Sequence, residues 1–217
     1  MKRAVSVSLG DSSRDKQVLL EMGGQQVQLE RLGQNGDLRR ARRTFAELDG
    51  KVDALGMGGT DLYIRLEKRE YPLHAVLKLV QDVRHTPVVD GRGLKRTLEQ
   101  RVFELAAPQL GEIPRFRRAF IPLAINRLGL ARAVSAVADE VVMGDFMFGL
   151  GLPLPIRGLD RFRRIARLMM PLVSRFPISA LFYGSEGFDR DPRYLRQWQQ
   201  ADLIAGDFLY IHKHMPD

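Results

Sequence analysis

Six stretches of the chain run from apolar residues straight into glycine and a short polar side chain: SLGDSS at 8–13, GMGGTD at 56–61, VVDGRG at 88–93, MGD at 143–145, YGSEG at 183–187 and AGD at 205–207. Glycine at such a point lets a ligand approach the backbone closely, and Asp and Ser beside it can hold hydroxyl groups or a hydrated cation. In open α/β sheets, ligands bind outside the carboxyl ends of the strands. Gly58, Gly59, Asp61, Gly91, Gly93, Asp145, Ser185 and Asp207 are therefore the expected ligand-binding residues. Any one of these loops is also explained by turn chemistry alone. The expectation rests on six of them sharing one sheet edge.

The segment VVDGRGLKRTLEQR (88–101) offers most. Gly91 and Gly93 permit a sharp turn, and the helix that follows presents unbonded N–H groups and its positive dipole end, with Arg92, Lys95 and Arg96 nearby. Asp90 stands at the strand tip. A carboxylate beside a lysine is a plausible acid/base pair, because each charge tunes the other's pKa. Asp90 and Lys95 are the expected catalytic residues, against the simpler reading of an N-cap followed by solvated basic residues.

Other chemistry is thinly represented. With no cysteine there are no disulfides, thiolate nucleophiles or cysteine-held metals. His212 and His214 near Asp207 could chelate a metal only from an extended segment, and an exposed tail is the preferred reading, so no metal site is expected. No GxSxG, HExxH or GxxxxGK[ST] occurs, and Ser185 has no histidine in reach by spacing. Trp198 is expected to pack a sheet.

These residues need strands and helices to position them. AVSVSL (4–9) alternates as a strand, and 16–21 and 25–32 flank Gly23-Gly24, a two-residue hairpin turn. Asp37 caps a helix to Leu48 with Leu38, Ala41, Phe45 and Leu48 on one face. Strands follow at 52–57, 61–66 and 86–89, with helices over 74–84 and from Gly91 to Ala107, where Pro108 stops the chain's helical run. After a helical connection, EVVMG, SALFYG and LIAG are short apolar strands suited to a parallel sheet, separated by helices over 159–173 and 191–201. ADEVVMGDFMF (138–148) echoes ADLIAGDFLY (201–210). The expected fold is α/β, a mostly parallel Rossmann-like sheet with helices on both faces and an N-terminal β-hairpin. Its expected parts are an α/β half at 1–107, a helical connection at 108–137 and a C-terminal βαβαβ half at 138–217.

The 217 residues carry 34 basic against 26 acidic side chains, a net charge of +8, and 27 of the basic residues are arginine. The clusters RRARR (39–43), RFRR (115–118) and RGLDRFRRIAR (157–167) suit solvated helix faces better than a nucleic-acid surface, since no aromatic-interleaved strand or recognition helix accompanies them. Nucleic-acid binding is expected to be weak and non-specific. No apolar run approaches the roughly 20 residues of a membrane helix, and the start is too short for a signal-peptide core. A cytoplasmic protein with a small-molecule ligand and no membrane partner is expected, with a homodimer allowed.

VVDGRGL also resembles the Asn-Thr-Asp-Gly-x-Gly segment of shikimate and quinate dehydrogenases, with Asp90, Gly91 and Gly93 at the matching positions. The opening MKRAVSVSLGDSSRD and the ending ADLIAGDFLYIHKHMP resemble bacterial proteins labelled quinate 5-dehydrogenase, over most of the chain. The resemblance implies an NAD- or NADP-linked oxidation of a cyclic polyol acid, with Asp90 in a Lys-Asp pair around the alcohol. It also implies a shortened member, lacking part of a nucleotide-binding half. The sequence departs from the pattern in two places. GMGGTDLYI (56–64) runs into a strand and FGLGLPLP (148–155) into prolines, so no dinucleotide fingerprint opens a helix. The family's Asn-Val-Thr-x-Pro-x-Lys segment has no counterpart, and Lys95 substitutes by proximity alone. The alternative function is a non-catalytic α/β module that binds a nucleotide, phosphate compound or nucleic acid.

Overall fold

The computed structural model describes residues 1–179 and 192–216. They form two compact units. One comprises Met1–Tyr63 with Pro72–Arg92, the other Ile64–Tyr71 with the chain from Gly93 onward.

The first unit holds β1 (Lys2–Ser8), β2 (Lys16–Met22), β3 (Gln25–Gly33), α1 (Leu38–Leu48) and β4 (Ala54–Gly58). Gly23 and Gly24, at φ 56° and 75°, make the two-residue turn of the β2–β3 hairpin. Asp37 caps α1 by accepting from the Arg39 and Arg40 N–H groups, and Ala41 and Phe45 are its buried residues. β5 (Tyr63–Leu66) and β6 (Arg69–Pro72) form a separate hairpin whose residues 64–71 group with the second unit. A four-residue helix α2 (His74–Leu77) and a two-residue strand β7 (Val88–Val89) complete the first unit. Its sheet has the order β2-β3-β1-β4-β7. β1 is parallel to β3 and β4, β4 is parallel to β7, and β2 is antiparallel to β3. Val5 lies beside Leu55 and Val7 beside Met57 on the buried face, on the side where the register puts apolar residues opposite one another.

From Gly93 the second unit holds the rest of α3 (Arg92–Thr97), a 3-10 turn at Glu99–Arg101 and α4 (Val102–Leu110). There follow β8 (Phe116–Ile121), α5 (Leu128–Val137), β9 (Ala138–Met143), α6 (Asp145–Leu150), β10 (Ile156–Arg157) and α7 (Leu159–Val173). Beyond the undescribed stretch come α8 (Pro192–Gln199), β11 (Leu203–Ile204) and α9 (Phe208–His214). The sheet order is β10-β9-β8-β11, with β8 parallel to both β9 and β11 and β10 antiparallel to β9. Phe120, Val142, Met147, Phe148, Tyr194 and Trp198 form its core. Trp198 meets Phe120 edge-on at 5.0 Å, and the Tyr194 hydroxyl donates to the Met147 carbonyl at 3.1 Å. Edge-to-face pairs of this kind add about 0.5–1.5 kcal/mol beyond area burial.

The architecture is therefore mixed α/β with parallel segments and an N-terminal hairpin, but among the described residues it is two mixed sheets and the two-stranded β5–β6 hairpin rather than one mostly parallel sheet. The expected helical connection at 108–137 contains β8, the strand that β9 and β11 both flank. Pro108 lies inside α4, which ends instead at Gly111 (φ 76°), whose N–H donates to the Ala107 carbonyl. In a nine-residue helix, one missing N–H near the end removes a single bond and leaves the rest intact. The helix expected over 74–84 shortens to α2, because bonds of the turn type succeed it, Leu79 N–H to Val76 and Val83 N–H to Val80. Leu55 and Val142 are fully buried sheet residues, whereas Val88 and Ile204 are half-buried in their two-residue strands. Leu181 and most of SALFYG lie outside the described residues. Among the described residues, no helix is long and apolar enough to cross a membrane.

Candidate functional site

Parallel strands end on a common edge, so the loops after β1, β3, β4 and β7 gather at one side of the first sheet. The loops after β8, β9 and β11 do the same in the second. The six glycine-polar loops thus divide: those holding Gly58, Gly59, Asp61, Gly91 and Gly93 follow strands of the first sheet, and those holding Asp145 and Asp207 follow strands of the second. Ser185 lies outside the described residues.

At the first edge the loops are bound to one another. Leu9 N–H donates to the Gly58 carbonyl, Gln34 N–H to Ser8 and Gly36 N–H to Leu9. Ser12 N–H donates to Asn35 Oδ1 at 2.7 Å while Asn35 Nδ2 donates back to Ser12 Oγ at 3.0 Å. Arg31 spends its guanidinium on Ser8 Oγ, the Asp11 carbonyl and Asp15. Gly58 is required by the sheet itself, because a Cβ there would lie 2.7 Å from Ser8 Cβ. Gly59, at φ 83°, turns the chain where only glycine is at ease. Asp61 is buried.

Asp90 is a clamp. Its Oδ2 accepts from Leu62 N–H at 2.8 Å, and its Oδ1 accepts from the Arg92 N–H and Nε at 3.2 and 3.0 Å. The Arg92 guanidinium then stacks 4.6 Å from the Tyr63 ring centroid. Both carboxylate oxygens thus serve groups of their own unit, and Lys95 belongs to the other unit, half-buried in α3. Gly91 (φ 76°) makes the turn, while a side chain at Gly93 would meet nothing within 4 Å.

Arg14 is the residue that sequence patterning passed over. It ends the 3-10 turn Ser12–Arg14, and its Nη2 lies so close above Gly10 that a Cβ at that position would be 2.6 Å from it. Among the described residues, it makes no hydrogen bond or ion pair within 4 Å, though its charge adds to the Ser13 N–H bond in holding the Asp11 carboxyl below its ordinary value. The available signal was SLGDSSRD itself, a strand-end glycine four residues before an arginine.

At the second edge, the two Gly-Asp copies grip one loop, 122–127, from both sides. Asp145 accepts the Ala124 N–H at 3.1 Å and the Ile125 N–H at 2.8 Å. Asp207 caps α9 by accepting from Tyr210 N–H, and its Oδ2 takes Arg127 at 2.9 Å, while Arg127 also pairs with Glu99. Gly144 has no room for a side chain, since a Cβ would come within 2.9 Å of Phe148 and of the Pro122 carbonyl. Burial raises the Asp145 carboxyl to about 7 despite the N–H bonds that favour its anion. A strand-end carboxyl poised near neutrality can accept or release a proton. His212 and His214 are not in a tail: α9 carries both, and His214 is buried, 4.2 Å from the Tyr210 ring. Two residues apart on a helix, the histidines point to different sides.

Among the described residues, two glycine-rich loops and the turn after β1 lack the arrangement of a dinucleotide fingerprint. GMGGTD leads into β5, the loop after α6 leads into β10, and the Leu9 and Gly10 N–H groups are taken by Gly58 and Ser8. A pyrophosphate turn needs free N–H groups opening a helix.

Residues 93–217 match the family model described as Domain of unknown function (DUF8754), and residues 3–90 match that described as Domain of unknown function (DUF8753). The former match spans more than half of the chain, which belongs to that family. The junction of the two matches falls where the two compact units divide. Comparison with curated proteins and with solved structures returns no match.

Proposed function

We propose that the chain binds a small anionic or polyhydroxylated ligand at the strand-end edge of its first unit, with Arg14 as the group that meets its negative charge. The observation that carries this reading is an exposed guanidinium that no hydrogen bond or ion pair holds among the described residues, lying over a glycine where parallel strands end, with the Asp11 carboxylate acting on its charge. Ser12 and Ser13 precede Arg14 in the same 3-10 turn, with Ser12 bonded to Asn35. A charge-assisted hydrogen bond contributes about 1.5–3 kcal/mol, equivalent to roughly a tenfold to hundredfold change in affinity. The test is calorimetry and thermal shift with quinate, shikimate, inorganic phosphate and mononucleotides. One of these anions is expected to bind and raise the melting midpoint, and Arg14→Ala is expected to lose that affinity with its ligand-free midpoint unchanged. Binding that is equal in Arg14→Ala and the wild type would refute the reading.

A quinate/shikimate-type oxidation is the second reading, favoured by the Asp145 carboxyl and its pKa near neutrality. The oxidant in that reading is NAD or NADP, as the resemblance to quinate and shikimate dehydrogenases implies. Formation of reduced cofactor on mixing the protein with either nucleotide and quinate or shikimate would support this reading, and no turnover with any pair would leave the binding module standing.

A further inference from the structure

We propose that β2 pairs edge to edge with β2 of a second copy of this chain, continuing the first sheet across a two-fold axis at Leu19. β2 is the end strand of its sheet, seven residues without proline, and every residue in it is exposed. Val18, Leu19, Leu20 and Met22 keep 44%, 58%, 40% and 56% of their surface accessible. Edge strands of native proteins are ordinarily blunted by charge, proline, bulges or a covering element, because their outward N–H and C=O groups template further pairing. The central five residues, Gln17–Glu21, carry a single charge.

The sequence KQVLLEM favours a second copy over an unrelated partner because it complements itself. An antiparallel pair related by a two-fold axis normal to the sheet must place one residue opposite its own copy. With Leu19 on the axis, Val18 faces Leu20 of the second copy, Gln17 faces Glu21 and Lys16 faces Met22. No like charges meet, and the Gln17 amide can donate to the Glu21 carboxylate. The hairpin register widens the apolar contact, since Val18 neighbours Leu29 and Leu20 neighbours Val27 on the same face. Shifting the axis to Val18 would put Asp15 opposite Glu21, and shifting it to Leu20 would put Leu19 opposite Glu21 and lose the Gln17–Glu21 contact, so the pattern favours Leu19 on the axis.

Charge permits the approach. Two copies at +8 repel as wholes, but residues 15–31 hold Asp15, Lys16, Glu21, Glu30 and Arg31, two basic against three acidic, a net charge of −1. Arg31 is paired with Asp15 and Glu30 with Arg3, which quiets the edge further. The hairpin is thus a place where basic molecules can meet without opposing fields.

Sedimentation and light scattering test this on the full chain, with single cysteines introduced into a protein that has none. The wild type is expected to be a dimer, and Leu19→Arg, which sets two cations on the axis, a monomer with an unchanged melting midpoint. Under mild oxidation Leu19→Cys is expected to cross-link to itself, whereas Leu168→Cys, on the 81%-exposed Leu168 of α7, is not. A wild type that is monomeric at every concentration, a Leu19→Arg dimer, or equal cross-linking at 19 and 168 would each overturn the proposal.

Discussion

Aspartate does two jobs that look alike in a sequence, and in this chain the structural one predominates. Asp37, Asp90, Asp145 and Asp207 all stand where an apolar strand gives way to a loop or helix, and each spends its carboxylate on backbone N–H groups nearby. Asp145 differs in one respect, because burial raises its folded value to about 7, above the ordinary 3.8. The folded state therefore holds a proton that the unfolded chain releases. The stability contributed by Asp145 is fully present below about pH 4, falls as pH rises from 4 to 7, and levels off above, by an amount on the order of 4 kcal/mol for a shift of this size. The carboxylates with lowered values, such as Asp53 and Asp202, act in the opposite sense and only below about pH 4. Asp145→Asn, which cannot ionise, is expected to erase most of the loss between pH 5 and pH 7.5 in urea denaturation. An identical loss in the variant would remove Asp145 as its source.

Elements with a single dominant local signal were legible from sequence; elements made by tertiary partners were not. The Gly23-Gly24 hairpin, α1 behind Asp37 and α7 over Leu159–Val173 follow from a turn dipeptide, an N-cap and helical periodicity. β8 was hidden because FRRAFI carries Arg117 and Arg118 straight after its first residue and reads as part of a helix. Its pairing depends on residues far away: Asp202 accepts from the Arg117 and Arg118 N–H groups, and the Arg118 guanidinium reaches Gln197 and Gln200. The same distance effect separated the glycine-polar loops into two edges, since register and strand order, not loop composition, decide which loops are neighbours. Asp49 shows such a distant tie at its most local. At the end of α1 it accepts from the N–H groups of Arg84, His85 and Thr86, fixing the approach to β7. Its partial burial opposes the anion, but the three N–H bonds outweigh it and hold the carboxyl at about 2. The stability it contributes is present above its ordinary value of 3.8 and is lost as pH falls toward 2. Asp49→Ala is expected to quicken amide exchange at 84–86 roughly tenfold while β8 amides keep their protection. Equal protection at 84–86 in both proteins would show that the loop is held by other means.

At the scale of the whole molecule, part of each arginine cluster is committed to local pairs with carboxylates. In the first cluster Arg42 bonds Asp82 at 2.6 Å and Arg43 approaches Glu47 at 3.8 Å. In the second, Arg115 bonds Asp139, and in the third Arg157 reaches Glu140 while Arg163 and Arg167 share Glu67, the positive-φ turn residue of the β5–β6 hairpin. Each of these exposed pairs contributes little to stability, about 0–1 kcal/mol, but each also cancels a charge that a phosphate would otherwise meet. What remains of the +8 is a diffuse field, screened beyond roughly 8 Å at physiological salt. Nucleic-acid binding is therefore expected to be weak and indifferent to sequence. If it engages about four phosphates, raising salt from roughly 50 to 200 mM should weaken it roughly a hundredfold. Anion binding at Arg14 involves one local charge and should lose far less over the same range. Anisotropy titrations of a labelled duplex and calorimetry with a small anion, each at two salt concentrations, separate the two. Tight, sequence-selective duplex binding that survives the higher salt would contradict the reading of the arginine clusters as paired surface. It would make nucleic acid, rather than a small anion at the strand ends, the ligand that the positive charge serves.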